Sequence, residues 1–144
     1  MKAVLMRVRR ASVTIDERET RSIGRGFLIL LAVTHDDTEA QAVKLADKLC
    51  SLRLFEDADG KINLTLDEVG GEIMIVSQFT LYADLRSRRP GFSHAAPPER
   101  AEPLYEYFLA CLSDLGFPPE HGSFGADMQV ASVNDGPVTL LLEM

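Results

Sequence analysis

The N-terminal part of the chain alternates hydrophobic with polar residues, a pattern typical of a strand with one buried face. Val4, Met6 and Val8 fall on one side, and residues 12–15 continue in residue types that favour β structure. The next apolar run, residues 27–33, lacks alternation, as expected of a strand buried on both faces. The pattern therefore predicts an early sheet whose second main strand lies in the interior.

A helix is predicted after this run, because Thr38 and Gln41 have the spacing of a capping box. The leucines behind them recur at i, i+4 and i+7, which places them on one helix face: Leu45, Leu49 and Leu52. We expect this helix to end near Phe55. A short apolar strand, residues 73–76, then runs into Ser77 and Gln78.

A second helix is predicted to open at residues 97–99 and to end before Gly116, a residue typical of helix C-caps. Pro103 lies inside its pattern, so the helix either starts late or is kinked early. Residues 128–142 resemble two strand pieces around a turn at 134–137. The order of elements predicts one compact α+β domain over residues 1–144, with a mostly antiparallel or mixed, barrel-like sheet and two main helices.

Composition places the chain among ordinary globular proteins, with 46% hydrophobic and 26% charged residues. Cys50 and Cys111 lie in apolar helical patterns and are interpreted as small core residues in a reducing compartment. The N-terminus has too few apolar residues for a signal peptide, and the longest apolar run is far below a membrane span. We therefore expect a cytoplasmic protein without a membrane partner.

The charge distribution qualifies the net charge of −7, which by itself argues against a protein that coats nucleic acid. The first 25 residues hold seven basic and three acidic residues. A second basic cluster comprises Arg86, Arg88 and Arg89. Two basic patches on an acidic body fit brief contact with RNA at one place, although solvated surface arginines explain the charge pattern equally well.

The usual catalytic signatures are absent from the sequence. The three histidines stand alone, without the spacing of metal ligands, so we expect no metal and no cofactor. Nucleophile-elbow, P-loop and dinucleotide-binding motifs are also missing. What remains are polar residues where an apolar strand ends, at 77–81, and a Gly-Pro pair flanked by polar residues, at 134–139. By residue type alone, the first stretch fits best a strand that continues with Ser and Thr on its solvent face, and the second fits best an ordinary turn between two strands.

Both stretches resemble the D-aminoacyl-tRNA deacylases: Ser-Gln-Phe-Thr-Leu at 77–81 and Asn-Asp-Gly-Pro-Val-Thr at 134–139. The resemblance extends over essentially the whole chain, including residues 26–34, 54–57, 95–99 and 125–130. In a sister family that edits other mischarged tRNAs these motifs differ. Ser77, Phe79 and Val138 favour the D-aminoacyl type.

The resemblance implies a homodimer with each active site at the subunit interface. Gly136-Pro137 would be in cis and would reach from one protomer into the other's pocket, beside Ser77. There its backbone would form a wall that rejects L-aminoacyl groups and admits D-aminoacyl groups, since rejection gives selectivity that attraction alone does not. Glycine has no side chain to clash, so glycyl-tRNA, including glycine mischarged on tRNA-Ala, is an expected second substrate.

Two mechanisms for hydrolysis of the aminoacyl ester remain open. In one, Thr80 or Ser77 is a nucleophile, which needs an activating base that the motif does not supply. In the other, which the family implies, backbone N–H groups at Phe79 and Thr80 form an oxyanion hole and the RNA 2′-hydroxyl helps to activate water. The predicted catalytic residues are Ser77, Gln78, Phe79 and Thr80.

Other residues are assigned supporting roles. Arg7 is expected to hold the backbone around Gly136 and Pro137, because its donors form a rigid fork. Phe92 and Met128 are candidates for the pocket of the terminal adenosine, with ordinary core packing as the alternative. The remaining supporting residues flank the Gly-Pro pair: Asn134, Val138 and Thr139.

The chain departs from the family pattern at Met6, where Gln is usual, and at residues 85–89, a surface expected to face RNA that is one residue shorter here. Two other functions fit the sequence. A small esterase would pair Ser77 or Thr80 with His94. A nucleic-acid-binding module without turnover would depend on the arginines at 86, 88 and 89 and not on Gly136.

Overall fold

A computed structural model describes all residues from Met1 to Met144. Eight strands and two α-helices form one α+β unit, with a short 3-10 helix at Phe79–Tyr82. In chain order the elements are β1 (Lys2–Ile15), β2 (Glu19–Ile23), β3 (Gly26–Ala32), α1 (Glu39–Ser51), β4 (Arg53–Glu56), β5 (Ile62–Thr65), β6 (Glu72–Ser77), α2 (Pro98–Asp114), β7 (Glu120–His121) and β8 (Met128–Glu143).

The long strand β1 organises the main sheet. On one side its first half pairs with β3 and its second half with β2, and on the other side it pairs along its length with β8, all antiparallel. Beyond β3 the sheet continues through parallel β6 and β7. Arg21 on β2 donates a hydrogen bond to the His121 carbonyl on β7 at 2.7 Å, which joins the two ends. The result is the mixed, nearly closed barrel-like sheet that the element order predicts.

The strand β3 is buried on both faces, as its unbroken apolar run predicts. Phe27, Ile29 and Leu31 belong to a core of 21 buried residues that includes the inner faces of α1 and α2. Leu28 belongs to a second core of eight residues, shared with β1, β2 and β6. Because the strand is packed from both sides, the position of its C-terminal end, next to the end of β6, is fixed.

The first helix begins as predicted but ends earlier. The Thr38 and Gln41 capping box is present at its start. Its end is at Ser51, not near Phe55, because Leu52 turns to an extended conformation with ψ of 134°. Phe55 instead lies in β4 and stacks on Phe27 with ring centroids 5.3 Å apart. The expectation that the helix ends near Phe55 was therefore wrong, and packing on the core together with pairing to β5 explains the difference.

The C-terminal region was predicted as two strand pieces and is a single strand, β8, with an irregularity in its middle. Thr139 pairs with Met6 and Asn134 pairs with Val8, so residues 135–138 lie opposite Arg7 alone.

The second helix starts at Pro98 and runs through Pro103. None of the helices is long and apolar enough to cross a membrane.

Candidate active site

A cavity of about 450 Å³ opens where β3 and β6 end side by side. The last residues of the two strands supply one wall, α2 and the segment before it supply a second, and the chain leading into β8 supplies the third. Sixteen residues line it: Leu31, Ala32, Val33, Val76, Ser77, Gln78, Phe79, Ala96, Pro98, Ala101, Tyr105, Phe124, Gly125, Ala126, Met128 and Val130. None of them carries a charge at neutral pH.

The stretch after β6 turns away from the sheet at the cavity wall. The Gln78 N–H donates to the Leu31 carbonyl at 2.8 Å, the last backbone bond between the two strand ends. Gln78 then adopts φ of −144° and ψ of 78°, and the 3-10 helix begins at Phe79. A strand that continued would point these side chains alternately up and down. The turn instead brings Ser77, Gln78 and Phe79 together on one wall.

Two backbone N–H groups at this turn are free of the helix's own hydrogen bonds. The first bond of the 3-10 helix is donated by Leu81 to the Gln78 carbonyl at 3.2 Å. The N–H groups of Phe79 and Thr80 precede it, and the first donors of a helix have no partner within the helix. Such paired amides at the edge of an uncharged cavity are suited to bind a developing oxyanion.

The side chains of this wall offer no activated nucleophile. The Thr80 hydroxyl accepts a hydrogen bond of 2.5 Å from the Gln78 side-chain amide. An amide does not take up a proton at neutral pH, so Gln78 cannot act as a base for Thr80. His94 makes no hydrogen bond with Ser77 or Thr80, and it does not line the cavity. The phenol of Tyr105 donates to the Ile75 carbonyl at 3.2 Å, and burial raises the pKa of Tyr105, so this hydroxyl remains a proton donor to the backbone.

The second motif lies at the irregularity of β8 and outside the cavity wall of its own chain. Gly136 and Pro137 are exposed, and neither lines the cavity. Their peptide bond is cis, as the resemblance implies. Of the flanking residues, Asn134 accepts a hydrogen bond from the Ser132 hydroxyl at 2.9 Å, and Val138 is half-buried. The two sequence motifs are therefore not brought together within the single chain.

Arg7 supports the backbone beside Gly136 through a hydrogen bond to Asp135. Its side chain is 5% exposed. The guanidinium donates from Nε to the Asp135 carbonyl at 3.1 Å and from Nη1 to the Leu54 carbonyl at 2.6 Å. The Asp135 carboxylate lies 3.8 Å from the same Nε and so balances part of the charge. A buried guanidinium with this rigid fork ties β1, β4 and the irregular part of β8 together.

Glycine is required at position 136 by both conformation and space. Its φ is +116°, where L residues are rare. A Cβ atom at this position would lie 2.9 Å from Arg7 Nη2 and 3.2 Å from a methyl group of Val138. The guanidinium therefore packs directly against the glycine, and any larger residue displaces one of them.

The two residues assigned to an adenosine pocket occupy different places. Met128 lines the cavity, whereas Phe92 lies outside it and packs edge-to-face on Phe79, with ring centroids 5.0 Å apart. Much of the wall was not predicted individually, above all Ala96, Ala101 and Phe124. Of these three, only Ala96 falls in a stretch that resembles the deacylase family, residues 95–99, and Ala101 and Phe124 carry no sequence signal.

Known proteins share both the fold and the sequence. A structure titled as a probable eukaryotic D-amino acid tRNA deacylase matches with a TM-score of 0.85 over 99% of this chain and 98% of its own, and its 17% identity bears on the fold alone. A second structure, the c-Myc DNA Unwinding Element Binding Protein, matches with a TM-score of 0.94 and 43% identity over 100% of this chain and 99% of its own.

The sequence comparisons are more specific than the fold. The D-aminoacyl-tRNA deacylase of Roseiflexus castenholzii is 58% identical over 144 residues, which cover 99% of this chain and 92% of the relative. Residues 4–143 match the family described as D-Tyr-tRNA(Tyr) deacylase. The chain belongs to this family.

Proposed function

We propose that this protein hydrolyses the ester bond of D-aminoacyl-tRNA and releases the free D-amino acid and the tRNA. Family membership supports the reaction, and the cavity beside Ser77 carries the assignment of the site. It is large enough for an aminoacylated ribose and lacks charged residues, so an ester enters without displacing buried ions.

The proposed mechanism uses the backbone of the cavity wall. The N–H groups of Phe79 and Thr80 receive the ester carbonyl oxygen as it becomes an oxyanion. Water attacks the carbonyl carbon, and the neighbouring 2′-hydroxyl of the ribose accepts a proton from this water while it gives its own proton to the 3′-oxygen. The bond between the carbonyl carbon and the 3′-oxygen breaks as the tetrahedral intermediate collapses, which leaves the free amino acid and the ribose 3′-hydroxyl. No side chain of the protein forms a covalent bond to the substrate in these steps.

The absence of a base at Thr80 supports this mechanism over attack by a hydroxyl. A threonine nucleophile needs a group that takes its proton, and the only hydrogen-bond partner of the Thr80 hydroxyl is the Gln78 amide. We assign Ser77 and Gln78 to the shape of the wall and Phe79 and Thr80 to the oxyanion hole. Met128 and Phe92 are assigned to the side of the site that receives the terminal adenosine.

A homodimer is proposed because one protomer leaves a long strand edge uncovered. The 16 residues of β8 pair only with β1, and none of them is buried. Leu141 on this strand is 66% exposed and Val130 is 41% exposed. Long unpaired edges with apolar side chains are normally covered in stable proteins. A second copy of the chain is the occupant we assign, since it also brings Gly136 and Pro137 to a cavity that they do not reach in their own protomer.

Chirality is then decided by the partner's backbone. In the dimer, the Gly136-Pro137 segment of one protomer closes the other's cavity opposite Ser77. An L side chain is directed into this segment, whereas a D side chain is directed away from it and glycine presents none. Arg7 keeps the segment in place through the Asp135 carbonyl, and Asn134, Val138 and Thr139 shape its two ends. The wall rejects by shape and needs no contact that favours the D-amino acid.

The discriminating experiment is hydrolysis of D-Tyr-tRNA, L-Tyr-tRNA and Gly-tRNA by the purified protein. We expect the first and third to be hydrolysed and the second to be spared. Equal loss of D- and L-Tyr-tRNA contradicts the rejection by a backbone wall. Loss of D-Tyr-tRNA with Gly-tRNA intact contradicts a wall that acts only on a side chain.

A nucleic-acid-binding module without turnover is the second candidate. It is favoured by the 43% identical structure, which is named a DNA Unwinding Element Binding Protein. It predicts binding of DNA or RNA and stable D-Tyr-tRNA in the same experiment. The net charge of −7 opposes it, because binding along a duplex draws on many basic side chains.

A further inference from the structure

Next to the cavity a short hairpin carries three arginines on an otherwise acidic protein. This segment, residues 84–91, is called the rim hairpin. It is closed by Asp84 and Gly91, whose backbones exchange hydrogen bonds of 2.7 and 2.9 Å. Residues 85–90 are all exposed. Its net charge is positive, whereas that of the whole chain is −7.

The three arginines are not equivalent. Arg86 is bound to the Asp84 carboxylate through two nitrogens, Nε at 2.9 Å and Nη2 at 2.6 Å from Oδ2. This pair holds the pKa of Asp84 below its ordinary value. Arg88 and Arg89 form no ion pair, since the ion pairs of the chain join other residues. Arg86 therefore belongs to the fold of the hairpin, and two positive charges remain available to a ligand.

An aromatic pair connects the rim hairpin to the cavity. Phe92 directly follows the hairpin and packs edge-to-face on Phe79, which lines the cavity. Phe79 is 52% exposed and Phe92 is 40% exposed. Exposed rings beside free arginines are the combination that binds single-stranded nucleic acid, because bases stack on the rings and phosphates pair with the arginines.

We infer that the rim hairpin and the Phe79–Phe92 pair form the docking surface for the single-stranded 3′ end of the tRNA, with Arg88 and Arg89 as its phosphate contacts. The inference rests on the proposed function, which places the terminal aminoacyl ester in the adjacent cavity. The nucleotides that precede the terminal adenosine then leave the cavity over the aromatic pair, and their phosphates pass the two unpaired guanidinium groups. Arg86 is a positioning residue that keeps the hairpin closed.

The test compares a double variant, Arg88→Gln with Arg89→Gln, with the unmodified protein. The first readout is binding of uncharged tRNA as a function of salt. Because each phosphate contact on a single strand contributes about −0.7 to the slope of log K against log salt, loss of two contacts makes this negative slope shallower by about 1.4. The second readout is KM for D-Tyr-tRNA at low salt, which we expect to rise roughly tenfold. Hydrolysis of D-tyrosyl-adenosine, which has no preceding nucleotides, is expected to be unchanged.

Two variants serve as controls. Lys44→Gln with Lys48→Gln removes the same charge from exposed positions of α1 that do not line the cavity, and it is expected to leave the salt slope unchanged. Arg88→Lys with Arg89→Lys keeps the charge and is expected to restore most of the slope. An unchanged salt slope in the double Gln variant, or an equal loss on D-tyrosyl-adenosine, overturns the inference. Failure of the unmodified protein to hydrolyse D-Tyr-tRNA would instead contradict the proposed function, and the binding of uncharged tRNA still tests the hairpin.

Discussion

The stretches 77–80 and 134–139 are similar in length and polarity, but they occupy opposite kinds of environment. The first ends a strand that is buried on both sides and forms the wall of a cavity. The second interrupts an exposed edge strand and lies outside the cavity of its own chain. We therefore propose that the first stretch acts within its own chain, through backbone groups fixed by the core, and that the second acts on the cavity of a partner molecule.

The largest expected effect comes from removing a backbone donor while keeping the side chain. Replacing the Phe79–Thr80 peptide bond with an ester, through the α-hydroxy analogue of threonine, deletes the Thr80 N–H. We expect the deacylation rate on D-Tyr-tRNA to fall by about 10²–10³, the usual cost of one oxyanion donor. Thr80→Ala removes only the hydroxyl and is expected to retain activity within roughly tenfold. Single-turnover hydrolysis measures both. A trapped acyl-Thr80 adduct, or an inactive Thr80→Ala protein, would contradict the backbone mechanism.

The second stretch is expected to be sensitive at Gly136. Gly136→Ala places a Cβ 2.9 Å from Arg7 Nη2 at a φ of +116°. Strain at such a position costs about 1–3 kcal/mol. A displaced segment no longer rejects L side chains and no longer closes the partner's cavity, so we expect L-Tyr-tRNA to be hydrolysed as well and the D-Tyr-tRNA rate to fall roughly 10- to 100-fold. Gly60→Ala is the matched control, since Gly60 also has positive φ, +75°, but its Cβ would meet nothing within 4 Å. The same loss of activity in both variants would show that Gly136 acts only through general stability.

A smaller effect on activity than at Gly136, but a clear loss of stability, is expected at the arginine that supports the second stretch. Arg7→Gln leaves the carbonyls of Leu54 and Asp135 without their buried donor. We expect a loss of about 2–4 kcal/mol in the free energy of unfolding, measured by urea denaturation. Arg9 also faces Asp135, but its side chain is 71% exposed, so Arg9→Gln is expected to cost less than about 1 kcal/mol. If Arg7→Gln and Arg9→Gln lower the free energy of unfolding equally, Arg7 is not the residue that supports the second stretch.

The sequence predicts the interior of this molecule better than its irregular places. The unbroken apolar run of β3 and the capping box of α1 depend on local residue types, and both are found as predicted. The end of α1 depends on Phe55 reaching Phe27 across 28 positions of the chain, which no local pattern reveals. The irregularity of β8 could not be predicted for the same reason, because it is a shift in the pairing of β8 with β1 on either side of Arg7.

The candidate site divides in the same way. Ser77 to Thr80 are assigned to the site from the family resemblance, because their residue types alone fit a continuing strand. The opposite walls, such as Ala101 on α2 and Phe124 before β8, are apolar residues without any chemical signature. They become part of a site only through the packing of elements that are distant in sequence.

We propose that each cavity is completed by the Gly136 segment of the other protomer, and a mixed dimer distinguishes this arrangement from a site formed by one chain. One protein carries Gly136→Ala. The other carries Ala126→Phe, which fills the cavity from its lining, and each homodimer is expected to be at least about tenfold less active than the unmodified protein. Random mixing gives heterodimers with one cavity that has both an intact lining and an intact partner wall. Deacylation of D-Tyr-tRNA is then expected to return to about a quarter of the unmodified rate. No recovery in a mixture shown to contain heterodimers would contradict a site shared between subunits.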